Sequence, residues 1–395
     1  MSFFDIVPCP LPNILEAEPC DTVDLTIKAY RNEDGEPYVF PVVQKVKQEY
    51  AKKHCPNYLP ILGHEGFRKV ATELVLGPTS IAIEQGRALG IQCLSGTGAL
   101  RSGAEFLTQV VGLDTVYLCD PIWENHRNIF KNAGFSTIER YSHLDTDKKS
   151  ISISKLLEDL ESAPEKSVVL LHASAHNPTG IDPTHKQWKE IAKVIKQRNL
   201  FTFFELAEQG LSSAFPIYDA WAIRYFVKQG LELFVAQSFS RNFGLYSERV
   251  GNLIIVVNNP LVAANIPSQM TQVNVSKFSN PPAYGACIVH KILTYPALRQ
   301  SWLAELKKIH QRLQEMRVTL VSKLAELETP GSWDHLTQQT GLFSSSGLTD
   351  SQVDYLKSHH NVLLFKNGCF SVSGLNTKNL DHVAKAIDDT VRTII

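Results

Sequence analysis

Between residues 91 and 257 short apolar runs recur, separated by stretches with helical spacing, and this alternation constrains the fold more than any other feature of the chain. The candidate strands are residues 91–94, 116–118, 168–172, 201–204, 233–236 and 253–257. A strand buried on both faces reads as a continuous apolar run, and helices between such runs imply a mostly parallel sheet covered on both sides. The expected class is therefore α/β. Ligands of such sheets sit beyond the carboxyl ends of the strands, so the turns that follow these runs are the places to look for chemistry.

Elsewhere the periodicity is helical. Phe67, Val70, Ala71, Leu74 and Val75 share one face of a helix that follows the loop 58–63. Leu303, Leu306, Ile309, Leu313, Met316, Leu320, Leu324 and Leu327 predict a long helix over 302–328, stopped by Thr329-Pro330-Gly331. The short runs after it, around 341–344 and 362–365, predict a small α+β domain. The division read from the sequence is 1–35 as an N-terminal arm and part of the small domain, 36–308 as the large domain, and 309–395 as the small C-terminal domain.

Composition narrows the function classes. With 395 residues and 44% hydrophobic side chains the chain can bury a large core. Lys+Arg 39 against Asp+Glu 40 leaves a formal charge of −1, without the basic excess that phosphate backbones or anionic membranes attract. Nucleic acid and membrane are not expected partners. The first residues, MSFFDIVPCPLPNILEAEPCD, lack both a basic segment leading into an apolar run and an Arg-rich amphipathic stretch, so a cytoplasmic location is expected. Cys9, Cys20, Cys55, Cys93, Cys119, Cys287 and Cys369 are scattered without C-x-x-C pairs, which predicts reduced thiols. His172 and His176 have a spacing that invites a metal, but no third ligand cluster accompanies them in the sequence, so no metal site is expected.

Two turns at predicted strand ends carry polar groups suited to an anion, and a third carries an aromatic. Ser95-Gly96-Thr97 opens a helix after the first run, where backbone N–H groups and the helix dipole favour phosphate. Ser238, Ser240 and Arg249 flank a second loop, and an arginine can grip two phosphate oxygens at once. Trp123 stands at a third junction, as either a core residue or a platform for a planar ligand.

These segments occur in an order that resembles the class I (fold type I) pyridoxal-phosphate aminotransferases, aspartate aminotransferase above all. The motifs are SGTGALR, PIWENH, AHNPTG, NFGLYSERVGNL and SNPPAYGA, and the resemblance spans about residues 4 to 392. It implies the fold type I architecture, with a large domain built on a mostly parallel sheet and a small α+β domain. It also implies a homodimer with its sites at the interface, pyridoxal phosphate, and amino transfer between aspartate and 2-oxoglutarate. By resemblance Ser95, Gly96, Thr97, Ser238, Ser240 and Arg249 form the phosphate cup, with Tyr58 supplied to it by the other subunit. Trp123 borders the ring, and Asn177 bonds its oxygen.

Against this pattern the chain departs at the reacting positions. The family's Schiff-base lysine is Arg241 here, and a guanidinium stays charged, so it can neither attack a carbonyl nor serve readily as a general base. Glu205 replaces the aspartate that pairs with the ring nitrogen, keeping the charge on a longer stem. Glu208 replaces a tyrosine donor to the ring oxygen, and its charge repels that oxygen unless burial raises its pKa. The substrate arginines align with Cys369 and Val275, and a family glycine is Lys28. Lys28 is open to four roles: substitute cation, substitute amine, filler of the cleft, or a side chain that points to solvent. Three readings follow. The chain is a degenerate aminotransferase holding pyridoxal phosphate without a covalent link; or an enzyme of aspartate metabolism with altered chemistry, slow transfer or racemisation, through Lys28 or Lys277; or a non-catalytic partner that dimerises with the active cytosolic paralogue. Any substrate is expected to be a small dicarboxylic amino or keto acid.

Overall fold

The computed structural model describes residues 22–51 and 57–394. Cys9, Cys20 and Cys55, and most of the expected N-terminal arm, lie outside the described residues.

Seven strands form the central sheet: β1 (Ala88–Leu94), β2 (Thr115–Asp120), β3 (Thr137–Ser142), β4 (Val168–His172), β5 (Phe201–Leu206), β6 (Leu233–Ser238) and β7 (Val250–Val256). Their order is β1-β7-β6-β5-β4-β2-β3, and only β7 runs against its neighbours. Five of the six expected runs thus become parallel strands, and the sixth is the antiparallel one. β3 was not expected: its sequence TIERYS keeps Glu139 and Arg140 exposed at the sheet edge, so it has no continuous apolar run.

The apolar runs are explained by burial on both faces. Successive residues of one strand point to opposite sides, and here each side is dry. Phe203 packs into a cluster with Leu100, Phe130, Phe234 and Leu253, whereas Phe204 packs on the other face with Trp188, Phe226, Val235 and Ile254. A third cluster gathers around the long helix through Trp302, Leu306, Ile309, Leu313 and Leu320. That helix runs Pro296–Glu326, starting six residues before its expected beginning, because Pro296 fits the first helical turn where its missing N–H costs nothing. The earlier helix is Glu65–Leu76.

After the long helix come short strands. β8 (Phe343–Ser345) pairs antiparallel with β9 (Cys369–Ser371), and the segment Val23–Asp24 pairs in parallel with Val362–Leu363. Among the described residues no helix is long and apolar enough to cross a membrane.

Candidate active site

A cavity of about 880 Å³ opens beyond the carboxyl ends of the parallel strands. Every strand of the sheet except β3 delivers a residue to it. β1 leads into Ser95, Gly96 and Thr97 at the start of α1 (Ser95–Phe106), β2 leads to Trp123, and β4 to Asn177; β5 carries Glu205, and β6 runs into Ser240 and Arg241. Because β7 is antiparallel, its amino end lies at this same edge, and that is how Arg249 reaches the cavity.

The serine corner is tightly built. The Ser95 hydroxyl lies 2.9 Å from that of Ser240 and 3.2 Å from that of Ser238, while the Ser95 amide donates to the Arg249 carbonyl over 3.0 Å. Ser95 and Arg249 both have positive φ, 64° and 51°, a left-handed conformation that costs a non-glycine residue about 1–2 kcal/mol. Gly251 lets the strand and the loop meet: a Cβ there would stand 2.4 Å from the Ser95 carbonyl carbon. The Arg249 guanidinium donates to the Tyr246 carbonyl and has no carboxylate partner among the described residues. Strained backbone, converging hydroxyls, a guanidinium without a carboxylate partner among the described residues and a helix N-terminus are groups of the kind that can hold a phosphate-sized dianion.

Behind the cavity a row of buried histidines backs Glu205. Glu205 Oε2 lies 2.8 Å from His126 Nε2 and 3.3 Å from His172 Nε2. Burial works to raise the carboxyl, but the two imidazoles and Arg241 outweigh it and hold it at about 2, so Glu205 is an anion at neutral pH. Burial pushes His172 down to about 3, against the attraction of Glu205. The Asn177 amide donates to His172 Nδ1 over 3.0 Å, so in the neutral ring the proton sits on Nε2, facing the carboxylate. The third ligand that the sequence did not show is present in space: Cys119 lies with His172 and His176, and His126 and Glu205 form a second group with His172. His172 belongs to both groups, and its Nδ1 lone pair is already taken by the Asn177 backbone N–H. Trp123 stands edge-on to His126 at 5.0 Å.

The loop after β6 is pinned: the Trp302 indole donates to the Asn242 backbone carbonyl over 2.7 Å, and the Asn242 side-chain Nδ2 donates to the Gln209 backbone carbonyl over 3.0 Å. This fixes Arg241, whose Nη1 lies 2.7 Å from Glu208 Oε1 and whose guanidinium sits 5.0 Å over the Phe343 ring. The other Glu208 oxygen accepts from the Leu342 amide at 2.8 Å. Glu208 is buried and is not among the residues that line the cavity, and burial raises its carboxyl pKa against the pull of Arg241.

The sequence profile of the family described as "Aminotransferase class I and II" matches residues 21–387. The chain belongs to that aminotransferase family. It is 55% identical to the cytoplasmic aspartate aminotransferase of Caenorhabditis elegans, covering 100% of this chain and 99% of that protein. The corresponding protein of Gallus gallus is 47% identical, over 94% and 92%. Its fold matches the aromatic-amino-acid aminotransferase of Burkholderia pseudomallei, a structure described as covalently bound to pyridoxal phosphate, with TM-score 0.95 and 36% identity over 99% and 100% of the two chains. The aspartate aminotransferase from Saccharomyces cerevisiae cytoplasm gives TM-score 0.92 and 37% identity, over 95% and 93%.

Within this aminotransferase fold the expected site residues divide. Lys28, Ser95, Gly96, Thr97, Trp123, Asn177, Glu205, Ser238, Ser240, Arg241 and Arg249 all line the cavity. Tyr58 does not: it is 88% exposed, away from its own chain's cavity. Val275, at the end of Pro260–Val275, is 46% exposed and outside the lining as well. Cys369 is buried in β9 opposite Ser345, and burial pushes its thiol up to about 12. Lys277, named as a possible amine, is turned away from the cavity onto Glu105 at 2.6 Å and the Ser102 hydroxyl at 3.1 Å. Sequence reasoning missed Tyr246, Phe343, Phe365 and Lys366 as lining residues. Tyr246 had a signal, lying in the same loop as Arg241 and Arg249. Lys366 had none, because only the closure of a distant turn brings it here.

Proposed function

We propose that this chain is a degenerate aminotransferase that holds pyridoxal phosphate without a covalent link and carries out little or no amino transfer. The observation that carries this reading is the Arg241–Glu208 pair. The side chain at the position of the family's attaching lysine is a guanidinium committed to a buried carboxylate.

The remaining residues fit the cofactor in parts. Ser95, Ser238, Ser240 and Arg249 supply donors and charge for the phosphate, Trp123 and Asn177 flank the space for the ring, and Glu205 offers an anion for a protonated ring nitrogen. Bound there, pyridoxal phosphate supplies an electron-withdrawing ring. The attachment point does not fit, since no amine stands at position 241. Arg241 also makes a poor base, and loss of a general base alone costs about 10²–10⁴-fold in rate. Cys369 and Val275 hold no charge with which to bind a carboxylate.

We further propose a dimer, on the exposure of Tyr58 and Val275, and a cytoplasmic location in keeping with the names of the relatives. A mixed dimer with an active aspartate aminotransferase is the second reading, favoured by Tyr58 being free to complete a partner's site.

The test is an absorbance spectrum of dialysed protein with pyridoxal phosphate, before and after borohydride, followed by peptide mapping. Retained cofactor absorbance with no fixed lysine is the expected result. An adduct on Lys28 or Lys366 would overturn the degenerate reading, and loss of all cofactor absorbance would leave the partner reading, tested by co-purification.

A further inference from the structure

The charges of the cavity are unevenly committed. Arg241 is taken by Glu208 and Glu205 faces two imidazoles. Lys28 and Lys366 also line the cavity, are exposed, and have no carboxylate partner among the described residues. They share one wall. The strand before Lys28 pairs with the strand before Lys366, the Ser371 amide donates to the Leu25 carbonyl over 2.7 Å, and the Ser373 hydroxyl to the Ala29 carbonyl over 3.3 Å. The serine and Arg249 seat is built from different elements, the ends of β1, β6 and β7.

Resting on the cofactor reading above, we infer that Lys28 and Lys366 form a second anion seat, which binds the carboxylate of a ligand whose phosphate occupies the first. The ligand class is a phosphopyridoxyl group joined to an amino acid: a phosphate at one end, a carboxylate at the other. Two flexible ammonium groups are point charges without the planar fork of arginine, so they hold a carboxylate by charge and accept varied geometry. This seat takes the place of the arginines that are absent at 369 and 275, and it lies at neither position.

Calorimetric titration of the full-length protein with two non-reacting probes tests the inference. The probes are pyridoxamine 5′-phosphate and its N-carboxymethyl derivative, which differ by one carboxylate. The carboxylated probe is expected to bind about tenfold more tightly, the range open to two solvent-exposed ion pairs. The Lys28→Met/Lys366→Met variant should bring that ratio close to one without weakening pyridoxamine 5′-phosphate, and Lys28→Arg/Lys366→Arg should restore it. Thermal melts check that the variants are folded. A ratio near one in the unaltered protein, or a ratio that survives the double methionine change, overturns the second seat while leaving the phosphate seat standing. Failure of both probes to bind overturns the cofactor reading too.

Discussion

Arg241 and Glu208, 33 residues apart in sequence, meet across 2.7 Å and answer each other's departure from the family pattern. A lone guanidinium or a lone carboxylate at this depth would be costly, whereas together they are tolerated. Glu208→Ala should therefore destabilise the protein by about 1–3 kcal/mol, chiefly because it leaves the buried Leu342 N–H without its acceptor, while Arg241, which lines the open cavity, can turn to water. Denaturant unfolding measures this; a loss below about 1 kcal/mol would mean that the pair is not holding the loop.

The same pairing predicts how the attaching amine could be restored. Arg241→Lys alone places an ammonium opposite Glu208, which favours the charged, unreactive form. Adding Glu208→Tyr removes that partner. Mass spectrometry after borohydride should show severalfold more fixed pyridoxal phosphate in the double variant than in the single one. Equal labelling would show that Glu208 does not hold the amine.

Acid should act on this protein through its buried histidines. His143 and His172 are driven down by burial to about 4 and about 3, below the ordinary 6.5, and Glu205 is held at about 2, below 4.5. In each case the unfolded chain binds more protons than the folded one between the two values. The contribution of these three groups is present above pH 6.5 and is lost as pH falls, first through the histidines and then, below 4.5, through Glu205 as well, while buried Asp219, raised to about 7, acts in the opposite sense and loses its contribution as pH rises. An NMR titration in which His143 or His172 of the folded protein takes up its proton near the ordinary 6.5 would contradict the buried neutral histidines.

Cys93 and Cys369 are buried thiols pushed up to about 12, and Cys119 is buried and raised as well. Alkylation of the native protein at pH 8, read by peptide mapping, should leave all three unmodified until denaturant is added. Rapid labelling of Cys369 would place it in the open cleft.

Gly251→Ala tests the serine seat. The added methyl group runs into the Ser95 backbone, so the turn must shift, at a cost of about 1–3 kcal/mol. Phosphate-bearing ligands should bind at least about tenfold more weakly, the penalty for displacing a charge-assisted hydrogen bond. Unchanged affinity would mean that the seat lies elsewhere.

What the sequence made legible follows from how each feature is encoded. The parallel strands were readable because burial on both faces writes them as unbroken apolar runs; β3, with one open edge, was not. The serine corner was readable because β1 and β6 each carry their polar residues in the turn that follows the strand. The relation of Glu208 to Arg241 was hidden, since two sequence oddities become one interaction only when β5 and β6 lie side by side. Lys366 was hidden for a similar reason: its place in the cavity depends on a short turn closing against the segment that carries Lys28.

The bond from the Ser95 amide to the Arg249 carbonyl also closes the corner where β1 meets β7, so the groups that would greet a phosphate are the joinery of the central sheet. Mutational drift can strip chemistry from this cleft one side chain at a time, at positions 241, 369 and 275, without touching that joint. Substitutions at Ser95, Ser238, Ser240 or Arg249 would thin the seat, but its backbone frame would stand for as long as the sheet does. The frame that could receive an anion is held by the same bonds that hold the sheet.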